Sequence, residues 1–271
     1  MSKRLVCFNV NGIRARAAQL KYILEKHKPY IIGLQETKVD DESFPIDEIN
    51  NLGYYSSFFG QKGHYGVALL SKEKPVEVKK GFPSDLEDAQ RRFIHGKYAF
   101  KEGNLHVLNG YFPQGESRSH PLKFPAKRRF YEDLRSYLNT SFMPSDLLLL
   151  MGDMNVAIAD ADVGLTEENI KRWLRSGKTS FLPEERGWLK NLLAFGLTDT
   201  FREQWGPDKR LYSWYDYRSR GFEQNPKRGL RIDLILASSA ARSFIIDSGI
   251  DVDSRAHEKP SDHCPIWIDM I

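Results

Sequence analysis

Eight polar residues in this chain follow or interrupt short apolar runs. Such runs, without a helical pattern, are typical of buried strands, and folds built on strands place their chemistry where the strands end. The clearest run covers residues 147–151, because Gly152 ends it and Asp153 and Asn155 follow. The eight residues are Asn9, Glu36, Tyr111, Asp153, Asn155, Asp233, Asp262 and His263.

The carboxylates among them favour metal-assisted hydrolysis of a phosphoester. Mg²⁺ prefers hard oxygen ligands and usually takes one or two protein carboxylates, which Glu36 and Asp262 could supply. An ion there would neutralise charge that grows on the phosphate and on the leaving oxygen. Asp153, oriented by Asn155, could accept a proton from the attacking water.

Three of the remaining residues could assist by hydrogen bonding. His263, held by Asp233, could donate a hydrogen bond to the phosphate, and the pairing would favour the charged imidazole. Tyr111 would add a phenolic donor near the leaving oxygen. These roles complete a site for phosphoester hydrolysis.

Each residue also has a structural explanation when it is taken alone. Asp153 and Asn155 could form an Asx turn, and Asn9 could belong to the turn that ends its strand. Tyr111 could be a core residue. Asp233 suits such an explanation least, because a buried carboxylate in an apolar strand needs a partner. The number of such groups, drawn from several separate strands, favours the chemical interpretation.

The first strand and helix predict how two of these residues meet. Residues 4–9 read as a strand, residues 20–27 place apolar side chains on one helical face, and Pro29 closes that helix. Residues 31–34 form the next strand. In a strand-helix-strand crossover the two strands are parallel, so Asn9 and Glu36 should lie on one edge.

The rest of the chain predicts strands with a few helices. Residues 53–111 read as an antiparallel meander, and one helix near residues 130–138 precedes the strand that ends at Asp153. A second helix begins at Pro183 and ends at Gly196. With about a dozen strands and three or four sizeable helices, we expect two packed, mostly antiparallel sheets flanked by helices, in a single domain covering residues 1–271. The later strands are predicted at residues 212–215, 232–236, 243–246 and 265–268.

The composition is that of a globular chain with a charged partner. Its 271 residues carry a net charge of +4, and several basic groups cluster in probable loops, which suits a phosphate-rich partner. No stretch approaches the roughly 18 apolar residues of a membrane helix, and the N-terminus does not resemble a signal peptide. Cys7 and Cys264 lie far apart without metal or redox spacing, so we expect reduced thiols in a cytoplasmic protein.

Six short motifs, in order along the chain, resemble those of the exonuclease III family of apurinic/apyrimidinic endonucleases. Two further segments, residues 60–68 and 181–185, match as well, so the resemblance covers essentially the whole chain. One such motif would be weak support, whereas six in sequence are specific. The motifs are residues 8–14, 34–38, 110–113, 152–155, 231–233 and 261–263.

The resemblance implies a four-layered α/β (α+β) sandwich of the deoxyribonuclease I type that acts on DNA with Mg²⁺, or with Mn²⁺ as a substitute. The matched Glu36 would be the principal metal ligand. The other positions that match metal ligands in one-metal or two-metal descriptions are Asn9, Asp153, Asn155, Asp262 and His263. The positions that match catalytic residues are Tyr111, Asp153, Asn155, Asp233 and His263.

Substrate contacts are implied at fewer positions. Trp214 and Leu230 match the residues that line the family's pocket for a sugar without its base, although Trp214 could equally be a core residue. Arg91, Arg92 and the loop around Lys62 could contact phosphates without reading sequence. Residues 223–227 look slightly longer than in bacterial relatives, which leaves the groove contacts open.

The function implied is a DNA-repair phosphodiesterase that cuts 5′ to abasic sites and trims 3′ ends of duplex DNA. We expect a monomer that works in the cytoplasm in association with the nucleoid. One alternative keeps the fold and hydrolyses phosphoinositides or sphingolipids, but the chain has no membrane-facing apolar segment. Another is an inactive nucleic-acid-binding module, which would require a missing ligand or base, and none is missing.

Overall fold

Short strands make up most of the regular structure in the computed structural model, which describes residues 2–271. Gly, Pro, Asn and Asp interrupt apolar runs that are too short for helices, and this pattern suits strands joined by turns. The strands within this range are β1 (Lys3–Asn9), β2 (Ile31–Gln35), β3 (Tyr55–Phe59), β4 (Val67–Ser71), β5 (Glu77–Lys80), β6 (Phe93–Phe100), β7 (Gly103–Tyr111), β8 (Leu148–Asp153), β9 (Leu197–Asp199), β10 (Asp233–Ser238), β11 (Ile245–Ile250) and β12 (Ile266–Met270).

Helices connect or flank these strands, and local signals mark where they begin and end. Thr166 caps one of them by accepting a hydrogen bond from the backbone of Asn169, and Gly177 ends that helix in the left-handed conformation. The helices are α1 (Ala17–His27), α2 (Ile46–Asn51), α3 (Lys123–Ser141), α4 (Glu167–Ser176), α5 (Pro183–Leu193), α6 (Thr200–Trp205) and α7 (Ser239–Arg242), with short 3₁₀ segments at Asp160–Asp162, Gly221–Glu223 and Val252–Ala256.

Each of two six-stranded sheets has a parallel pair at its centre. The order is β11-β12-β1-β2-β4-β3 in the first sheet and β5-β6-β7-β8-β10-β9 in the second. β1 and β2 are parallel across α1, and β7 and β8 are parallel across α3. The remaining neighbours among the described strands are antiparallel. The prediction of two mostly antiparallel sheets is therefore confirmed, and each central pair brings its carboxyl ends to one edge.

Alternation along the central strands divides the core into layers. In β1, Leu5 and Cys7 face the second sheet, whereas Phe8 packs with α1. In β8, Met151 faces the first sheet and Leu150 packs with α3. The layers are thus helix, sheet, sheet and helix. Each fully buried large apolar side chain contributes roughly 1.5–3 kcal/mol, so the strands that carry the site residues are firmly held.

Gly152 allows the closest approach between β7 and β8. A Cβ atom at this position would lie 2.0 Å from the carbonyl oxygen of Gly110, and the φ angle is +156°. Gly110 and Gly152 are paired in the parallel register, and the next pair along is Tyr111 with Asp153. The glycine therefore sets these two functional side chains beside each other.

Two sequence-based assignments were wrong, and the helix α4 was missed. The expected meander over residues 53–111 is split, because β3 and β4 join the first sheet while β5, β6 and β7 join the second. Residues 212–215 form no strand but only single bridges from Trp214 to Leu230 and to His263. The helix α4 was not predicted, because few apolar residues mark its inner face and none of its residues is fully buried.

None of the helices formed by residues 2–271 combines the length and the apolar content that a membrane crossing requires.

Candidate active site

Asn9 joins the two sheets at the edge where their central strands end. Its Nδ2 atom donates to Glu36 Oε1 at 2.9 Å and to Asp153 Oδ2 at 2.9 Å. Asn9 lies opposite Gln35 in the parallel register, so Glu36 follows directly at the end of β2. The expected proximity of Asn9 and Glu36 is confirmed, and the structure adds Asp153 from the other sheet.

Asp153 and Asn155 form a tight turn after β8. The backbone N–H of Asn155 donates to Asp153 Oδ1 at 3.0 Å, as expected for an Asx turn at this pair. The amide Nδ2 of Asn155 donates to the carbonyl oxygen of Phe112 at 2.9 Å. The turn therefore orients the functional side chains and does not exclude a chemical role.

His263 is held by Asp233 on one side and faces Asp153 on the other. Its Nδ1 atom lies 2.9 Å from Asp233 Oδ2, and its Nε2 atom lies 3.7 Å from Asp153 Oδ2. Ser213, which the sequence did not single out, donates its hydroxyl to Asp233 Oδ2 at 2.6 Å. The expected Asp233–His263 pair is present, and Ser213 fixes the carboxylate that orients it.

Asp262 lies beside this group and accepts two side-chain hydrogen bonds. Trp214 Nε1 donates to its Oδ2 at 2.9 Å, and Asn11 Nδ2 donates to its Oδ1 at 2.8 Å. Lys38 donates to Asn11 and forms an ion pair of 2.8 Å with Glu36 Oε2. Sequence reasoning gave no site role to Asn11 or Lys38, although both belong to the motifs that carry Asn9 and Glu36.

Several residues of the site adopt a left-handed backbone without being glycine. Their φ angles are +48° for Asn11, +53° for Glu36, +57° for Lys38 and +53° for Asn155. This conformation costs roughly 1–2 kcal/mol for an L-residue and persists only where the surroundings determine it. The surrounding hydrogen bonds therefore hold these functional loops in conformations that a free chain would avoid.

Asp153 and His263 have strongly displaced proton affinities. Burial outweighs the opposing charge of His263 and raises the pKa of the Asp153 carboxyl to about 7, and the negative charges of Asp233 and Glu36 add to this effect. Burial opposes the charged form of His263, but Asp233 and Asp153 outweigh it and raise the pKa of the imidazole to about 10. Near neutral pH the imidazole is charged, whereas Asp153 can take up or release a proton.

Glu36 and Tyr111 keep their ordinary protonation states. Burial disfavours the Glu36 carboxylate, but the adjacent Lys38 outweighs burial and lowers the pKa of Glu36. Burial raises the pKa of the Tyr111 phenol well above its usual value, and Glu36 and Asp153 act in the same direction. Glu36 is therefore an anionic ligand, and Tyr111 remains a hydrogen-bond donor.

The ionised side chains form a group that suits a hard cation. One ligand atom from each of Glu36, Asp153 and His263 lies within 4.8 Å of the other two. Two further carboxylates are close, because Asp233 binds His263 and Asp262 lines the same cavity, and divalent cations with hard character prefer such donors. His263 already uses Nδ1 to bind Asp233, so its charged ring suits hydrogen-bond donation better than ligation.

These residues open into a cavity of about 330 Å³. Trp214 and Leu230 lie in its wall and are bonded to each other through their backbones at 2.9 Å. Sequence reasoning missed much of the rest of the lining. That part is formed by Gln114, Trp173, Lys178, Ser180, Asp216 and Arg218.

Comparisons with known proteins agree with this geometry. The Endonuclease/Exonuclease/phosphatase family matches residues 6–263. The chain belongs to this family.

Relatives within the family cover the whole chain. The exodeoxyribonuclease III of Haemophilus influenzae is 53% identical over 98% of this chain and 99% of its own length. An AP endonuclease from Archaeoglobus fulgidus has a similar structure, with a TM-score of 0.90, 34% identity and 99% coverage of both chains. A 3′ phosphatase from Neisseria, bound to its product DNA hairpin, has a TM-score of 0.89, 33% identity and 99% coverage of both chains.

Family membership confirms the resemblance drawn from the six motifs. It also confirms the deoxyribonuclease I-like sandwich, because the structural relatives match both six-stranded sheets and their flanking helices. The family comprises metal-dependent nucleases, and the acidic group around Glu36 is a possible metal site in this member.

The three basic residues expected to contact DNA differ from one another in exposure to solvent. Lys62 is exposed, and Arg91 is 40% exposed at its side chain while its Nη1 atom donates to the carbonyl oxygen of Gly60. Arg92 is buried, donates to the carbonyl oxygen of Tyr111 at 3.1 Å and stacks on the Tyr111 ring. Lys62 and Arg91 can reach a polyanion, whereas Arg92 supports Tyr111.

The segment that looked longer than in bacterial relatives lies in an exposed loop. The loop is closed by a hydrogen bond of 2.8 Å from the backbone of Arg228 to Gly221, and the Lys227 ammonium group stacks on the ring of Phe222. The lining of the cavity includes Leu230 but no residue from 223 to 228. The segment is therefore outside the site itself.

Proposed function

We propose that this protein is a DNA-repair phosphodiesterase that cuts duplex DNA 5′ to abasic sites and trims or unblocks 3′ ends. The observation that carries the proposal is the junction of Asn9, Asp153 and His263 beside the carboxylate of Glu36. The names of its relatives support the substrate, because they include an exodeoxyribonuclease, an AP endonuclease and a DNA 3′ phosphatase.

Glu36 would hold a Mg²⁺ ion together with Asn9 and Asp262, and Mn²⁺ would substitute. The ionised carboxylate of Glu36 and its oxygen-rich surroundings support this assignment. When bound, the ion would neutralise charge on the phosphate and on the leaving oxygen. Asp153 and Asn155 could join a second ion, as could His263, but the bonds of these three residues favour other roles.

Asp153 accepts the proton of the attacking water. Its raised pKa of about 7 suits a general base near neutral pH. Asn155 uses Nδ2 to bind Phe112, so its Oδ1 atom is available to accept a hydrogen bond from that water. The backbone bond from Asn155 to Asp153 keeps the two groups in one turn.

His263 and Tyr111 stabilise the phosphate and the leaving group. Asp233 keeps the imidazole of His263 charged, so its Nε2–H donates to a phosphate oxygen. Tyr111 remains protonated and donates to the leaving oxygen. Trp214 and Leu230 form a wall against which a sugar without its base would pack, and an intact nucleotide would first have to leave the base stack.

We further propose that the 271 residues act as one domain and as a monomer on chromosomal DNA in the cytoplasm. Both sheets contribute to a single cavity, and the Haemophilus influenzae relative is matched over 99% of its own length. The basic side chains of Lys62 and Arg91 provide contacts to the DNA backbone.

The test is incision of a duplex oligonucleotide that carries one tetrahydrofuran abasic mimic. We expect cleavage 5′ to the mimic with Mg²⁺, slower or comparable cleavage with Mn²⁺, and none with EDTA. A matched duplex with a recessed 3′ end measures trimming in the same reaction. Absence of Mg²⁺-dependent incision would exclude the endonuclease activity, and absence of both reactions would exclude the proposed function.

A further inference from the structure

Lys127 belongs to a basic cluster in the sequence, yet its side chain is fully buried. It lies on α3 with no exposed surface, whereas its neighbour Arg128 has 63% of its side chain exposed. A buried ammonium group is costly unless it is paired and fully hydrogen-bonded. Contact with solvent or with DNA therefore cannot explain why a lysine occupies this position.

The ammonium group of Lys127 binds three partners. It forms an ion pair of 2.5 Å with Glu185 Oε1, which is also fully buried. It donates to the carbonyl oxygen of Asn155 at 2.9 Å and to that of Gln114 at 3.3 Å. Three donors thus meet three acceptors, and two of these acceptors belong to residues that line the cavity.

Glu185 extends this hydrogen-bond network to another residue that lines the cavity, Ser180. Its Oε2 atom accepts hydrogen bonds of 2.8 Å from the backbone N–H groups of Ser180 and Leu182. Ser180 lines the cavity and has a φ angle of +102°, which a serine adopts only under constraint. One buried ion pair therefore reaches Asn155, Gln114 and Ser180.

The helix α3 holds the turn after β8 at two successive carbonyl groups. Tyr131, one helical turn after Lys127, donates its hydroxyl to the carbonyl oxygen of Met154 at 2.7 Å. Lys127 holds the next carbonyl, that of Asn155. The Lys127 side chain is itself confined, because a Cβ atom at Gly115 would lie 3.0 Å from its Cδ atom.

We infer that Lys127 and Glu185 are positioning residues that fix the backbone of Asn155, and with it the direction of the Asn155 amide, beside Asp153. Asn155 has a left-handed backbone at φ +53°, and the hydrogen bond of 2.9 Å from Lys127 to its carbonyl oxygen adds to the bonds that hold the turn in that conformation. The pair makes no contact with substrate and acts through Asn155 and Ser180. The inference rests on the proposed nuclease function.

Steady-state incision of the tetrahydrofuran duplex by the Lys127→Met variant tests the inference. Loss of the donor should lower kcat by up to about 100-fold, because a displacement of about 1 Å in a catalytic group can cost that much. KM for DNA should change little, since no phosphate contact is lost. Arg128→Met, which removes an exposed partner of Glu132 on the same helix, is the matched control and should retain kcat.

A double variant separates an effect on the position of Asn155 from an effect on the stability of the protein. Lys127→Met leaves Glu185 buried without a counter-charge, so the single variant should be destabilised. Lys127→Met with Glu185→Gln removes both charges while the Gln oxygen still accepts from Ser180 and Leu182, so the melting temperature should recover much of the loss. The kcat should stay low, because Asn155 still lacks its donor. Recovery of kcat together with stability would refute the positioning role.

A spectroscopic measurement makes the result independent of turnover. The side-chain amide signal of Asn155, assigned by its loss in Asn155→Asp, should shift in Lys127→Met and in the double variant but not in Arg128→Met. If the wild-type protein cuts DNA while Lys127→Met has an unchanged kcat and an unchanged Asn155 signal, the positioning inference is wrong and the proposed function stands. If the wild-type protein cuts no DNA, the proposed function fails, and a shifted Asn155 signal still supports the restraint.

Discussion

Asp153 and Asp162 are both buried carboxylates near the start of β10, yet their pKa values are displaced in opposite directions. Burial disfavours the charged form of Asp162, but the guanidinium groups of Arg231 and Arg202 outweigh it and lower its pKa. Asp153 has only the imidazole of His263 at 3.7 Å; burial, together with Asp233 and Glu36, outweighs that cation and raises the pKa of Asp153 to about 7. Burial alone does not decide the behaviour of an acidic group.

The bonding of the two regions explains the difference. Arg231 binds Asp162 at 2.6 Å and Asp199 at 2.6 Å, and Asp199 also caps α6 through the backbone of Phe201. Every charge in this network has a partner of opposite sign. At the catalytic edge, where the central strands of both sheets end, the Asp153 carboxylate accepts hydrogen bonds from the Asn9 amide and from the backbone N–H of Asn155. The Nε2 atom of His263 lies 3.7 Å away. The complete network around Arg231 holds the backbone in place. The carboxylate of Asp153 is only partly neutralised, so it can still bind a proton or a cation.

The largest expected effect comes from the incompletely neutralised carboxylate. Asp153→Asn should reduce turnover of the abasic duplex by about 10²–10⁴-fold, because it removes the proton acceptor. The melting temperature should change little, because the loss of a buried charge and the loss of its attraction to His263 at 3.7 Å oppose each other. Single-turnover incision and thermal denaturation measure the two effects. A large fall in melting temperature would mean that Asp153 is mainly structural.

Substitution of Arg231 in the complete network should mainly reduce stability and not turnover. Arg231→Met leaves Asp162 and Asp199 short of a partner, so the free energy of unfolding should fall by about 3–5 kcal/mol. Turnover per folded molecule should fall far less than in Asp153→Asn. Urea denaturation measures the loss. Arg231→Met combined with Asp162→Asn and Asp199→Asn should recover part of it, and no recovery would argue that packing, not charge, is responsible.

His95 gives a smaller and pH-dependent test of the same comparison. It is buried, binds His106 Nδ1 at 2.9 Å and the Tyr137 hydroxyl at 2.9 Å, and has no carboxylate in contact. Burial lowers the pKa of His95 to about 3, with His106, Lys79 and Lys97 adding to the effect. Two acidic groups, Asp146 and Glu77, act on the neighbouring His106 instead.

Because the folded pKa of His95 lies below the unfolded value near 6.5, the unfolded chain binds more protons in acid. The contribution of neutral His95 to stability is complete above about pH 6.5 and is lost as the pH falls toward 3. At pH 5 the loss should be about 2 kcal/mol relative to pH 7. Urea denaturation at both pH values should show a smaller difference in His95→Leu combined with Tyr137→Phe. An equal difference would exclude His95 as its source.

The catalytic edge was largely predictable because strand ends are visible in the sequence. A buried strand shows as an apolar run, and Asn9, Tyr111 and Asp153 are the last residues of such strands. Asp233 and His263 reach the same edge at or before the start of antiparallel strands. The strand-helix-strand crossover of β1, α1 and β2 is equally local, and it is enough to predict that Asn9 lies near Glu36. The same reasoning could not predict that Asn9 also binds Asp153, since nothing local states how the two sheets are packed.

The supporting residues were missed for physical reasons. Lys127 stands beside two exposed arginines, so its type and neighbours indicate a solvated face, and only the fold shows that Glu185 buries it. Ser213 was assigned to a strand because aromatic residues flank it, although that segment is held by its bonds to Leu230, to Asp262 and to Asp233. Such roles depend on contacts between distant segments, which local patterns do not contain.

Asp233 has a further consequence for the two buried cysteines. Burial raises the pKa of the thiols of Cys7 and Cys264 well above the usual value, and the negative charge of Asp233 raises both further. Peroxides attack the thiolate, so thiols kept protonated in this way react slowly. The carboxylate that orients His263 therefore also disfavours the reactive thiolate form of both cysteines.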